Sequence, residues 1–241
     1  MRSHASIGLE DSDTHHSNAF TRAELIATLG AIFLCAAVLL PSFADTGSRA
    51  EQVSCLSNLR QIGIAFQAWG TDHHDHRPWF VRVNEGGTAG HIFQGNAYIH
   101  YTPLSNYVSP AVLVDPAEPG KGKRVAQNWG TGEGGYLNPG FGNNALSYML
   151  SVHTTITETH NILVGDRHVH FSGPQGCAYL PAGVVALGGG FPFRGWTNGP
   201  HGFAGNLLMN DGRVEFANQQ RFREVITHPD DSSTFDHVLT P

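Results

Sequence analysis

Residues 19–41 read AFTRAELIATLGAIFLCAAVLLP, and the organisation of the chain turns on this stretch. Residues 25–40, LIATLGAIFLCAAVLL, carry no charge, and Pro41 closes the run. A spanning helix needs about 20 apolar residues, so this run alone is short. Extending it back to Phe20 gives a helix of roughly 31 Å at ~1.5 Å per residue, close to the ~30 Å hydrocarbon core. The extension carries Arg22 and Glu24. Arg22 can snorkel to the interface, but a carboxylate at that depth needs a partner. A cut between Ala19 and Phe20 supplies one, because the new Phe20 amine lies one helical turn from Glu24. Glu24 can then pair with its own amine or with that of a neighbouring chain, which sets the register between parallel helices.

These residues resemble the cleavage and methylation segment of type IV prepilins and type II secretion pseudopilins. Phe20, Thr21, Glu24 and Pro41 match the family pattern, while Ala19 stands where Gly is usual and the leader is acidic at Glu10, Asp11 and Asp13. The resemblance implies that a prepilin peptidase cuts between Ala19 and Phe20 and methylates the Phe20 amine. The alternatives are an ordinary signal peptide, with residues 25–40 as its apolar region and Ser42-Phe43-Ala44 as its cleavage site, and a plain anchor.

After a predicted break over Pro41 to Gly47, helical periodicity resumes. Val53, Leu56, Leu59, Ile62, Phe66 and Trp69 recur at spacings of three and four, with polar residues between them. Such a stripe needs a sheet to cover it. Gly70 and the polar run TDHHDHRP predict the stop. The segment SRAEQVSCLSNLRQIGIAFQAW resembles the stretch after the anchor in a bacterial subfamily of pseudopilin-like proteins. Cys55, Asn58, Leu59, Arg60, Gln61, Ile62 and Gly63 carry that likeness.

From Pro78 onward, short apolar stretches alternate with Gly, Pro and Asn clusters. With 29 glycines and only 14% charged residues, the body reads as loop-rich and β-containing. Strands are expected at Ala111–Val114, Ile162–Val164, His168–Phe171, Val184–Leu187, Asn206–Met209 and Arg213–Phe216, with Ala145–Val152 a strand or short helix. Asn210-Asp211-Gly212-Arg213 predicts a hairpin turn. His201 precedes Asp211 and Gly212 in a His-x9-Asp-Gly pattern that resembles the C-terminal signature of the same subfamily. His201 and Asp211 are expected to hydrogen-bond and pin the loop to the hairpin.

A net charge of −6 leaves no basic stripe for nucleic acid. Cys35, Cys55 and Cys177 form no CxxC pair or disulfide framework and read as small packed residues. His168 and His170 alternate on one expected strand face, and His73, His74, Asp75 and His76 form a second His-rich cluster. Two such histidines can begin a zinc site, and the resemblance brings calcium to mind for a head loop, but it assigns no metal ligand. No Gly-x-Ser-x-Gly, His-Glu-x-x-His or phosphate loop is present, so no enzyme or cofactor is expected.

The resulting expectation is an α+β chain: a leader over 1–19, a long N-terminal pilin-like helix over 20–76, and an antiparallel β-sheet head with long loops over 77–241. The helix would place residues 20–41 in the inner membrane as a single pass and lay its amphipathic half on a head in the periplasm. Other pilin-like subunits would be its partners in a pseudopilus or surface fibre. The rivals are a binding module with an ordinary signal peptide, and a metal-dependent periplasmic enzyme built on His168, His170 and His201.

Overall fold

The computed structural model describes residues 21–118, 120, 122–152, 154–171, 184–187, 193–227 and 236–241. Backbone alone is described at 37–48, 93, 171, 184–187, 193–194, 227 and 236–237. The elements are α1 (Arg22–Asp72), β1 (Tyr148–Ser151), β2 (Ile162–Asp166), β3 (Val169–Phe171), β4 (Val184–Leu187), β5 (Phe193–Trp196), β6 (Ala204–Met209), β7 (Val214–Asn218), α2 (Gln219–Thr227) and β8 (Asp236–Leu239). The chain divides into two units, Met1–Thr46 and Gly47–Pro241.

In the first unit, α1 opens on a capping box. The Thr21 N–H donates to Glu24 Oε2 at 2.9 Å, and the Glu24 N–H donates to Thr21 Oγ1 at 3.3 Å. Two of the helix's orphan donors are thereby satisfied. The backbone bond from Thr21, with the bond to its hydroxyl, holds the Glu24 carboxyl below its ordinary pKa. Leu25, Ile26, Leu29, Ile32, Phe33 and Leu34 are each 53–76% exposed. Cys35 is exposed as well, not packed as expected.

The structure corrects the expected single pilin-like rod. Helical backbone continues through Pro41–Gly47, where a break was predicted, yet the chain divides between Thr46 and Gly47. Described helical side chains fall into two stretches, 22–36 and 49–72. The first includes Arg22 and Glu24. Among the described residues, no helix is long and apolar enough to cross a membrane. The expected membrane half, and with it the single-pass inner-membrane placement, is therefore overturned.

In the second unit, the 49–72 stretch buries one face. Cys55, Leu59, Ile62, Phe66 and Trp69 are at most 2% exposed. Val53, predicted on this stripe, is 65% exposed, and Cys55 takes its place. Burying each large apolar side chain contributes roughly 1.5–3 kcal/mol. The stripe packs in one core with Tyr148, Leu150, Val164 and Leu208 of the sheet, and with Trp79, Tyr101, Leu104 and Leu113. Phe66 meets Trp79 and Tyr101 at ring centroid separations of 5.7 and 5.8 Å.

The main sheet is antiparallel, in the order β4-β8-β1-β2-β6-β7, and β3 pairs with β5 in a second, two-stranded sheet. Alternating side chains give the main sheet two apolar faces. On the second face Met149, Leu207, Met209, Ala217 and Val238 form a core with Trp196 and with Phe222, Val225 and Ile226 of α2. Trp196 and Phe222 stack at 4.3 Å. The sheet is thus filled on both sides within this unit.

The predicted β6–β7 hairpin is present. Leu208 pairs with Val214, and the Met209 N–H donates to the Arg213 carbonyl at 2.8 Å. Gly212 takes φ +86°, the left-handed conformation expected at the Asp-Gly turn. The predicted strand at Ala111–Val114 is absent. Pro110–Leu113 is a short 3-10 helix, with Pro at its first turn and Ser109 Oγ accepting from the Ala111 N–H. That Ser-Pro start favours a helical turn over a strand.

Gly63 lets α1 lie close to β6, since a Cβ there would sit 3.0 Å from Leu208 Cδ1. Gly63→Leu is expected to lower stability by about 1–3 kcal/mol through overpacking, read from the urea midpoint. His100 offers a pH test. It is fully buried and bonded to Thr88 Oγ1 at 2.7 Å. Burial, with help from the charge of His91, pushes its pKa down from 6.5 to about 4. The unfolded chain therefore binds the proton at higher pH than the folded chain. Stability contributed by His100 is complete above about pH 6.5 and falls as pH drops toward 4, by roughly 3 kcal/mol in all. Urea titrations at several pH values should show a shallower loss for His100→Gln; an unchanged slope would remove His100 as the cause.

Candidate functional site

The subsidiary bonds of the head converge on four side chains from four separate segments. Cys55 is on the buried face of α1, Asp115 follows the Pro110–Leu113 turn, Asp166 ends β2, and His201 precedes β6. Their donor atoms all lie within 4.8 Å of one another.

Local sequence explains each position. The period of α1 that buries Leu59 and Ile62 also buries Cys55. Asn58, one turn on, donates to the Val114 carbonyl at 3.3 Å and so holds the segment leading into Asp115. Asp166 pairs across from Tyr148 at the end of β2. His201 sits at the tip of a tight turn whose ends, Gly199 and Gly202, exchange backbone bonds of 3.1 Å in both directions. Gly202 supplies the required positive φ of +69°.

His201 Nε2 lies 2.9 Å from Asp115 Oδ2 and 3.8 Å from Asp166 Oδ2. The Cys55 thiol points at Asp166 Oδ1, 3.5 Å away, and lies 3.5 Å from the Tyr148 hydroxyl. Asn206, fully buried, turns its side-chain amide toward the cluster, donating to Cys55 Sγ at 3.2 Å and to Asp166 Oδ2 at 3.1 Å. Its backbone N–H donates to the same Asp166 oxygen at 2.7 Å. With both amide hydrogens so committed, Asn206 Oδ1 is left buried without a hydrogen bond.

The electrostatics follow from that crowding. Asp115 and Asp166 are 3% and 4% exposed, and their ion pairs among the described residues run only to His201. Burial pushes the Asp166 carboxyl up to about 7 against the lowering effect of the Asn206 N–H and His201. Burial, then the Asp166 charge, drives the Cys55 thiol upward. For His201 burial disfavours the imidazolium, but the Asp115 bond and both carboxylates outweigh it and raise its pKa. The crowding thus disfavours ionisation of Cys55 and Asp166 and favours the His201 imidazolium.

Beside it, Glu118 is 2% exposed and accepts from Arg167 Nη2 at 2.8 Å and Nε at 3.1 Å, and it also contacts His168. Burial opposes its charge, but the hydrogen bonds from His168 and Arg167 and the Arg167 charge win and hold it at about 2.

The predicted site residues separate into distinct places. His201 enters the cluster, but its partner is Asp115, not Asp211. Asp211 stays in the hairpin turn, where its Oδ1 accepts from the Arg213 N–H at 2.8 Å, and Gly212 provides the turn's positive φ. His168 bonds Glu118, and neither it nor His170 joins the converging donors. The His73–His76 stretch forms the turn after α1, with His73 stacked on Trp69 at 3.7 Å. Glu24 caps α1, while Ala19, Phe20 and Cys177 lie outside the described residues. Asp115, Cys55, Tyr148 and Asn206 were not singled out as a site by the sequence. No family model, curated protein or solved structure matches this chain.

Asn206→Leu keeps the branched outline of the side chain and removes both amide donors. It is expected to cost about 1–3 kcal/mol by taking one hydrogen bond each from the thiol and the carboxylate, measured by urea unfolding; an unchanged midpoint would mean the amide does not support the cluster.

Proposed function

We propose that this chain is a pilin-like or pseudopilin-like assembly subunit whose N-terminal helix packs against the same helix of neighbouring copies. The observation that carries the reading is the contrast within α1. The 49–72 stretch buries its apolar stripe in its own unit, whereas Leu25, Ile26, Leu29, Ile32, Phe33 and Leu34 are exposed. A contiguous apolar surface of that kind marks an interaction site. The occupant is a second copy of the helix, because the segment also carries the Phe-Thr-x-x-Glu pattern that resembles subunits assembling helix to helix. Assembly by this route requires prior cleavage between Ala19 and Phe20 by a prepilin peptidase.

Glu24 has two roles to separate. It caps the helix through Thr21, and in the assembly reading its charge also pairs with the Phe20 amine of its own or an adjoining chain. Gln at this position keeps the capping box but has no charge.

Intact-mass measurement of the mature chain tests the processing step. A start at N-methylated Phe20 is expected, and a start at Asp45, after an ordinary signal peptide, would sink the proposal. For the assembly step, Glu24→Ala and Glu24→Gln should both leave the head folded by circular dichroism and both reduce cross-linked oligomers. Normal oligomers from Glu24→Gln would show that Glu24 acts as a cap alone.

A further inference from the structure

The four converging side chains have the chemistry and the spacing of a metal centre. Zinc bonds of ~2.0 Å to nitrogen or oxygen and ~2.3 Å to sulfur give tetrahedral edges of about 3.3 Å between nitrogen or oxygen donors and about 3.5 Å from the sulfur, by geometry. The observed separations are 3.5 Å for Cys55 Sγ to Asp166 Oδ1, 3.8 Å for His201 Nε2 to Asp166 Oδ2 and 2.9 Å for His201 Nε2 to Asp115 Oδ2. Of these three, the second must close and the last must open by a few tenths of an ångström to hold an ion, and all four ligand atoms lie within 4.8 Å of one another.

From this geometry we propose that Cys55, Asp115, Asp166 and His201 bind one zinc ion as a structural clasp of the head. Charge balance supports it independently of spacing. Two buried carboxylates and a thiol face one imidazole, and no Lys or Arg among the described residues pairs with either carboxylate. A divalent cation brings the positive charge that lets Cys55 and Asp166 ionise there. The fully buried Asn206 amide supplies a second argument. It presents N–H groups to Cys55 Sγ and Asp166 Oδ2 at the expense of its own oxygen, which is the support a thiolate and a ligating carboxylate require.

Sulfur and imidazole donors favour zinc over calcium or magnesium, which take oxygen ligands. Four protein ligands leave no open position, so the role is structural. On binding, the Cys55 thiol proton and any proton on His201 or the carboxylates pass to solvent. The ion joins α1, the segment after Pro110–Leu113, the end of β2 and the Gly199–Gly202 turn. This inference does not depend on the assembly reading.

Cobalt titration of the chelator-treated full chain tests the proposal. The expected result is one Co²⁺ per chain, with tetrahedral visible bands and a thiolate-to-cobalt charge-transfer band, both lost when Zn²⁺ is added. The band should persist in Cys35→Ser/Cys177→Ser and vanish when Cys55→Ser is added. His201→Gln should weaken binding by about tenfold or more. Near-ultraviolet circular dichroism confirms that each variant is folded, and the unsubstituted chain alone already decides the main point. Failure of the folded chain to take up Co²⁺ or Zn²⁺ would overturn the proposal. So would uptake without a thiolate band, as exposed histidines would give, or a band that survives Cys55→Ser.

Discussion

The head depends on removing water from one face of the 49–72 stretch of α1. Leu59, Ile62, Phe66 and Trp69 have no apolar cover of their own, and the sheet residues Tyr148, Leu150, Val164 and Leu208 provide it. This non-directional burial is the dominant favourable force, and the missing side chain of Gly63 permits a close approach to Leu208. Once α1 lies there, Cys55 is carried to Tyr148 and Asp166, and Asn58 reaches the Val114 carbonyl. The polar cluster is thus placed by apolar packing.

That placement gives each of several residues between Cys55 and Gly63 a structural task. Leu59 and Ile62 fill the core, Gly63 permits the approach, Asn58 anchors a loop, and Cys55 joins the cluster. Arg60 and Gln61 face solvent and have no part in this packing. A second buried tie works alongside it. Arg77, 1% exposed, donates through Nη2 to Asn210 Oδ1, and the Asn210 amide donates to the Thr155 and Glu158 carbonyls at 2.6 and 3.1 Å. The turn after α1 and the hairpin turn are joined through that one amide.

Features governed by neighbouring residues were legible in the sequence. The Asp211-Gly212 hairpin and the helical stripe follow from local turn chemistry and from a period of three to four. Val53 misled because periodicity marks a face without showing where the covering surface ends. Ala111–Val114 misled because an apolar run looks the same in a buried turn as in a strand, and Ser109-Pro110 decided the outcome. The cluster was invisible for a different reason. Cys55 and Asn206 are 151 residues apart, and Asp115 and His201 are 86 apart. No spacing motif encodes a site assembled by tertiary packing, so His201 was matched to Asp211, its neighbour in sequence. The apolar run at 25–40 was read as a membrane span, and among the described residues no helix is long and apolar enough to be one.

The strand order has a consequence for the sequence of events in folding. β8 is made after every other strand, yet it lies between β4 and β1 and pairs with both. Until residues 236–239 have been synthesised, β1 has one open edge and β4 has no neighbour in the main sheet. A ribosome-bound chain can join β1, β2, β6 and β7, but it cannot close the row. Unpaired strand edges are where chains stick to one another during folding. Exposure of that edge lasts until translation reaches β8, and a pause before it would prolong the interval in which two nascent heads can pair wrongly.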